Sequence, residues 1–400
     1  MATYIDVTRL LGWQGNYTGM ERFAFEVTKY VVEARTDVRL CCFTKAAGFI
    51  ELHDAFSLDG DRLSSPIFGP SPALRDLVKT NKKAFVYEYA KRKQHEKNYK
   101  KLPRITAGTT DTLVIYDGLW DQEDYIMAIE QQVAHGMHLA HFVCDLVPVV
   151  MPQVCFEFVS TAFSTYFERI APLIDTLFSI SKHTEKDFQT VYGSIVKPTL
   201  KKHVIRFGDS FGDGKPEKPT QLKLSGQDYL LSVGTVEIRK NHQLLYQAYR
   251  LALELGIKLP KLIIVGREGW MAEASIYAIK HDPLIKEHIL FAGPVTDAEL
   301  NWLYANCICT VFPSLYEGWG LPVAESLNYG KVCAAANSSS VPEIGGELNE
   351  YYSPYNAQAC LDTIVQLLNT PYRRQLEKKI QDCYTPTKWS EVGERVMKAL

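Results

Sequence analysis

Apolar residues recur along the C-terminal half in short unbroken runs, and each run is followed by a stretch with helical spacing. Tyr229–Gly234 reads as a buried strand, and the helix after Asn241 puts Leu244, Leu245, Ala248, Leu251 and Ala252 on one face before stopping near Gly256. Further strands are predicted at Lys261–Gly266, Ile289–Phe291, Cys307–Phe312 and Lys331–Ala336, with a helix capped by Asp297. Ser340-Val341-Pro342-Glu343 reads as a capping box with Pro at a helix start. Unbroken apolar strands alternating with amphipathic helices predict a parallel, doubly wound α/β sheet.

The N-terminal half repeats this rhythm. Strands are predicted at Tyr4–Val7, Val38–Phe43, Thr112–Tyr116, Leu139–Cys144, Thr176–Ile180 and Val204–Arg206, and a helix over Met20–Glu33. Residues 207–227 are rich in Gly, Pro, Lys and Asp and read as a linker. The predicted division is 1–206, a linker at 207–227, a second α/β domain at 228–383, and a terminal helical segment at 384–400. Open α/β sheets bind ligands beyond the carboxyl ends of their strands, so the loops there are the places to seek chemistry.

Composition narrows the picture. The 400 residues carry 44 Lys+Arg against 46 Asp+Glu, a balance that argues against a general nucleic-acid binder. No apolar run approaches the length of a membrane span, and the first residues carry no basic segment followed by an apolar stretch, so no signal peptide is expected. The nine Cys are an odd number, mostly within apolar runs, which suits reduced thiols in a cytoplasmic protein better than a disulfide framework.

The segment Pro313-Ser314-Leu315-Tyr316-Glu317-Gly318-Trp319-Gly320-Leu321-Pro322-Val323-Ala324-Glu325-Ser326 follows a predicted strand. Gly318 and Gly320 expose their amides, and Pro322 fits the first turn of a helix running to about Tyr329. A Gly-rich turn before a helix N-terminus is a ready anion site. Glu325 is expected in that helix's first turn, with Glu317 on the loop, so both carboxylates border one pocket. An ordinary strand-turn-helix with one surface Glu and one capping Glu fits the spacing equally. Gly234-Thr235-Val236-Glu237-Ile238-Arg239-Lys240-Asn241 joins another strand to a helix. Its two cations suit a phosphate, and taken alone they also suit a solvated helix-capping loop.

Glu317 and Glu325 with the glycines between them resemble the E-x7-E signature of family 4, group 1 type, retaining glycosyltransferases, which have the GT-B fold: two Rossmann-like domains facing across a cleft. Pro313-Ser314, Tyr329-Gly330-Lys331 and Ser338-Ser339-Ser340-Val341-Pro342-Glu343 extend the likeness. The resemblance implies that Glu325 binds the donor's ribose and that Glu317 binds a hydroxyl of the transferred sugar near the reacting carbon. The amides of Gly318, Trp319, Gly320 and Leu321 would bind sugar and phosphate. Arg239 and Lys240 would stabilise the departing diphosphate in place of a metal. Where the family often has Arg after Gly234, this chain has Thr235, as in the branch with Gly-Thr and Arg-Lys-Asn, which resembles bacterial polysaccharide mannosyltransferases using GDP-mannose. The final helix is expected to cross back to the N-terminal domain.

The remaining features are less specific. Gly266, Arg267 and Val295 lie in loops that surround the nucleotide base in the resembling family. Gly19 would let the backbone approach the diphosphate or acceptor. His141-Phe142-Val143-Cys144-Asp145-Leu146-Val147-Pro148 resembles a family segment with Cys144 where His is common, making Asp145 a candidate sugar contact or a helix cap. Ser181-Lys182-His183-Thr184 reads as a structural cap. The basic run Lys79–Arg104, interleaved with Phe and Tyr, suits a solvated helical face, an anionic membrane surface or RNA. Asp59-Gly60-Asp61 reads as a turn and Cys307-x-Cys309 as core. The expected function is a retaining, metal-independent, cofactor-free transfer of a hexose from a nucleotide-sugar donor to a glycan or lipid-linked acceptor. A UDP- or dTDP-dependent transferase or epimerase, and a noncatalytic scaffold of the same fold, are the alternatives.

Overall fold

The computed structural model describes residues 2–12, 19–52, 57–59, 62–64, 102–105, 108–116, 118–209, 215–222, 224 and 229–400. In the first half β1 (Thr3–Asp6), β2 (Val38–Thr44) and β3 (Gly48–Glu51) are followed by a hairpin of β4 (Ser57–Asp59) and β5 (Arg62–Ser64). Then come β6 (Thr112–Ile115), β7 (His138–Val143), β8 (Thr176–Ser179) and β9 (Lys201–Val204). All but the hairpin form a sheet in the order β3-β2-β1-β6-β7-β8-β9, parallel except for the antiparallel β2–β3 pair. The second half supplies β10 (Tyr229–Val233), β11 (Lys261–Val265), β12 (Ile289–Gly293), β13 (Thr310–Phe312), β14 (Cys333–Ala336) and β15 (Glu350–Tyr352). These form a wholly parallel sheet ordered β12-β11-β10-β13-β14-β15.

Parallel strands need crossovers, and the crossovers put helices on both faces, which is why the central strands are apolar throughout. Leu230, Leu231, Leu262, Ile263 and Ile264 are fully buried. In each sheet the strand order reverses once, between β1 and β6 and between β10 and β13. Those two points open crevices beyond the strand ends. The helix Trp389–Ala399 crosses back onto the N-terminal helix Met20–Ala34, burying Trp389, Val392 and Val396. Gly393 is required there, because a Cβ at that position would lie 2.4 Å from the Tyr30 ring.

Several expectations shift. The strand expected at Cys307–Phe312 begins only at Thr310, although Cys307 and Cys309 are buried as core. The strand expected at Val204–Arg206 is β9, three residues earlier; it is a sheet edge whose Lys201 and Lys202 face solvent, so no apolar run marks it. Thr8–Gly12 forms a short helix directly after the strand expected at Tyr4–Val7, where the sequence pattern marks no element. Thr296, not Asp297, caps the helix Asp297–Asn306, in a capping box closed by Glu299. Residues 60–61 of the Asp-Gly-Asp turn and 79–101 of the basic run lie outside the described residues. Among the described residues no helix is long and apolar enough to cross a membrane.

Candidate functional site

The reversal point of the second sheet brings two loops together. β10 ends at Val233 and is followed by Gly234, in a positive-φ conformation (145°) suited to glycine. Gly266 packs on it so closely that a Cβ would sit 2.0 Å from the Gly234 carbonyl oxygen. The chain then turns through Ile238–Lys240 to Asn241, whose amide donates to the carbonyls of Pro313 (3.1 Å) and Pro354 (2.8 Å). Leu315 N–H donates to the Arg239 carbonyl at 2.9 Å. These bonds tie the loop after β10 to the loop after β13.

A charged cluster results. Arg239 Nη1 donates to Glu317 Oε2 (2.7 Å) and to the Tyr316 carbonyl (2.8 Å), while its Nε and Nη2 donate to Glu237 Oε1 (3.1 and 2.7 Å). Lys240 Nζ and Ser314 Oγ both donate to Glu317 Oε1, each at 2.5 Å. Burial alone would raise the Glu317 pKa. The two adjacent cations and these hydrogen bonds reverse that and bring it down to about 2, so the carboxylate is ionised.

Three serines hold the Glu317 loop. Ser338 Oγ donates to the Ser314 carbonyl (2.8 Å), and Ser339 Oγ accepts from Glu317 N–H (2.7 Å). Ser340 Oγ contacts the carbonyls of Glu317 and Trp319, both at 2.8 Å. The expected capping box is therefore not formed: the helix Pro342–Gly345 has no side-chain cap, because Ser340 serves this loop and Glu343 points elsewhere.

Beyond Glu317 the chain meets the N-terminal domain. A Cβ on Gly318 would lie 1.8 Å from the Cys144 carbonyl oxygen and 3.0 Å from Asp145 Cβ, so only glycine fits. Gly320, at φ 120°, precedes the helix Leu321–Asn328, and Trp319 is buried beneath the Arg206 guanidinium, 5.6 Å from its ring centroid. Glu325 is the fifth residue of that helix, in its second turn rather than its first, because the helix starts at Leu321. It accepts from Tyr304 O–H at 2.7 Å. Burial raises its pKa, and the Tyr304 bond and the positive charge of Arg22 oppose the rise.

Asp145 completes the cluster from the other domain. Its Oδ1 accepts from Val147 N–H at 3.1 Å, and burial raises its pKa against the pull of Arg239. A cavity of about 280 Å³ opens beside it, walled by Trp120, His141, Asp145, Phe163, Arg239 and Trp270. Met20 also lines this cavity, directly after Gly19, whose positive φ (55°) starts the helix Met20–Ala34 and whose Cβ position faces open space.

The structure thus brings Glu317, Arg239, Lys240, Asp145, Gly318 and Gly234 together, with Thr235 packed on Gly269 nearby. Arg267 is exposed and enters the site's framework through its carbonyl, which accepts from Val236 N–H at 2.8 Å. Val295 packs partly buried behind β11. Trp270, in a loop expected around the nucleotide base, instead reaches the other domain: its Nε1 donates to the Val154 carbonyl at 3.3 Å. Tyr304 and Trp120 were not anticipated, since nothing in their local sequence distinguishes them from core or loop residues, and Ser314 was noted only as a flank of the Glu317 motif. The serine run was noted only for its likeness. Among the described residues, no group of three or more His, Cys, Asp or Glu side chains is placed to hold a metal ion.

Comparison with known proteins fits this geometry. Residues 214–382 match the family model of glycosyl transferases group 1. The O-antigen chain mannosyltransferase B of Escherichia coli is 34% identical over 157 residues, 39% of this chain and 41% of that one. The serotype-specific mannosyltransferase WbdA of Escherichia coli is 28% identical over 214 residues, 52% of this chain and 25% of that one. The chain therefore spans less than half the length of these curated relatives. The sucrose-phosphate synthase of Thermosynechococcus elongatus superposes with a TM-score of 0.65 at 15% identity, covering 99% of this chain and 97% of that one. The fold is GT-B, with two Rossmann-like domains.

Proposed function

We propose, from the premise that residues 214–382 belong to the glycosyl transferases group 1 family, that the chain transfers a hexose from a nucleotide-sugar to a glycan or lipid-linked acceptor in polysaccharide synthesis. Mannose from GDP-mannose is the favoured donor, because the relatives matched are named mannosyltransferases. The observation that carries the reading is the Glu317–Arg239–Lys240 cluster beside the Gly318–Leu321 amides, with Glu325 on the adjoining helix.

In this reading Glu325 accepts from ribose hydroxyls, and the donor's diphosphate lies against Arg239, Lys240 and the free amides at the helix start. A phosphate there replaces Glu317 as partner of Lys240 and releases the carboxylate to a sugar hydroxyl. The bond from the anomeric carbon to the phosphate oxygen breaks, its electron pair passing to that oxygen. The acceptor oxygen bonds to the anomeric carbon on the same face, and its proton goes to the departing phosphate, so configuration is retained. The two cations and the amides stabilise the charge that develops, the part a metal plays elsewhere. The aromatic cavity beside Asp145 suits the acceptor's terminal sugar, apolar face to Trp120 or Trp270 and hydroxyls to the polar end.

The test is incubation with GDP-mannose, UDP-glucose and dTDP-glucose, reading donor loss and product mass. GDP-mannose is expected to be consumed with an α-linked product, and Glu317→Ala to abolish this. Consumption of a UDP- or dTDP-sugar instead would move the donor assignment. If no donor is consumed with any glycan acceptor, and Glu317→Ala leaves partner binding intact, the chain is a scaffold.

A further inference from the structure

One carboxylate of the C-terminal domain closes the end of a helix in the other. The helix Lys182–Tyr192 is capped by its own Ser181, whose Oγ accepts from Thr184 N–H at 3.0 Å. The amides of Lys182 and His183 are left over, as at any helix start. They donate to Glu343 Oε2 and Oε1 at 2.9 and 2.7 Å. An anion on the positive end of a helix, accepting two N–H bonds, is a charge-assisted contact.

The same helix grips the Glu317 loop on both flanks. Tyr316 O–H bonds to Asp187, and its ring meets the His183 ring edge-on with centroids 5.7 Å apart. Thr184 Oγ1 lies 3.4 Å from the Gly318 carbonyl oxygen. Glu343 itself follows Ser339 and Ser340, the residues that hold the Glu317 backbone. A side-chain cluster of Val147, Val154 and Tyr316, with Ile238 packed against it, backs this contact, and Ile238 directly precedes Arg239. The residues that touch the opposite domain are thus chain neighbours of those forming the charged cluster.

We infer that Glu343 and Tyr316 are positioning residues, a clamp that engages the helix Lys182–Tyr192 when the domains meet and thereby fixes the Glu317 loop in its working geometry. The clamp rests on the reading of Glu317 as part of a transfer site, and it predicts coupling between domain contact and chemistry. Glu343 contributes no ligand contact; it acts through the loop it steadies.

The experiment compares wild type, Glu343→Ala and Tyr316→Phe by amide hydrogen exchange, small-angle X-ray scattering, nucleotide binding and turnover. Expected for Glu343→Ala are faster exchange at Lys182 and His183, a larger radius of gyration, and kcat lower by about tenfold or more with nucleotide affinity unchanged. Tyr316→Phe is expected to lower kcat in the same way while the Lys182 and His183 amides stay protected, which separates the clamp's two arms. Unchanged exchange and scattering in Glu343→Ala would overturn the clamp, as would a loss of nucleotide affinity equal to the loss of turnover. If wild type turns over no nucleotide-sugar, the proposed function fails, and the exchange and scattering results still decide whether the clamp exists.

Discussion

Lys240 Nζ and Glu317 Oε1 meet at 2.5 Å although 77 residues separate them. The loops that carry them leave β10 and β13, neighbouring strands at the point where the sheet order reverses, and that topology is what makes the contact. With Arg239 on its other oxygen, Glu317 is a buried carboxylate held between two cations.

Neutralising that carboxylate leaves both cations short of a partner. Breaking a buried ion pair from one side costs about 3–5 kcal/mol. Glu317→Gln is therefore expected to lower unfolding free energy by about that amount and to abolish transfer, whereas Glu317→Ala with Lys240→Met should recover part of the stability and none of the activity. Urea unfolding and a transfer assay on the three proteins check this. Activity in Glu317→Gln within tenfold of wild type would contradict the role given to the carboxylate.

Gly318 offers a separation of binding from chemistry. Its missing side chain faces the Cys144 carbonyl oxygen, where a Cβ would sit at 1.8 Å. Gly318→Ala is expected to keep the domains apart while each remains folded. Calorimetry should find nucleotide affinity changed by less than about threefold, and transfer should fall by about a hundredfold or more.

Acid should destabilise the fold, and the direction follows from three groups. Burial lowers the pKa of His141 to about 4, and burial with nearby Lys240 lowers that of His242 to about 3. Both are neutral in the folded chain while the unfolded chain takes up protons near pH 6.5. Below that pH each histidine removes up to about 1.4 kcal/mol of stability per pH unit, until its folded-state pKa is reached. Glu317 has the depressed pKa of a paired carboxylate, so its contribution is present above pH 4.5 and is lost as pH falls toward 2. The raised pKa values of Asp6, Asp145 and Glu325 act in the opposite sense. His141→Gln keeps a polar partner for Tyr166, which lies 2.7 Å from His141 Nε2, and should flatten the stability loss between pH 6.5 and 4 relative to wild type. Urea titrations at pH 7, 6, 5 and 4 measure it; parallel curves for the two proteins would contradict the assignment.

Much of the fold was legible because parallel strands buried on both faces are written as unbroken apolar runs. β10 and β11 are such runs, and their bounds fell within a residue of expectation. β9 was misplaced because an edge strand with exposed Lys201 and Lys202 has no such signature. Glu317, Glu325, Arg239 and Lys240 stood out through the family resemblance of their segments, since spacing alone suited an ordinary strand-turn-helix and a solvated loop equally, whereas the partners that set their geometry did not stand out. Tyr304 reaches Glu325 from another helix, Ser339 reaches Glu317 from the next strand's loop, and Glu343 contacts His183 across 160 residues. Such contacts depend on how sheets and domains meet, which local periodicity does not encode. Ser340 and Glu343 illustrate the point: their spacing suits a capping box, and tertiary partners took both side chains.

On the proposed function, the Glu317–Glu325 crevice binds a nucleotide-sugar. The most direct test of that binding is the thermal stability of wild type, Glu325→Ala and Tyr304→Phe with GDP, UDP, dTDP and ADP at equal concentration. A nucleotide at about 100 times its dissociation constant adds roughly 2.7 kcal/mol to the folded state. GDP is expected to raise the melting temperature of wild type, with the rise reduced in Tyr304→Phe and lost in Glu325→Ala. An equal rise in all three proteins, or none with any nucleotide, would contradict the account.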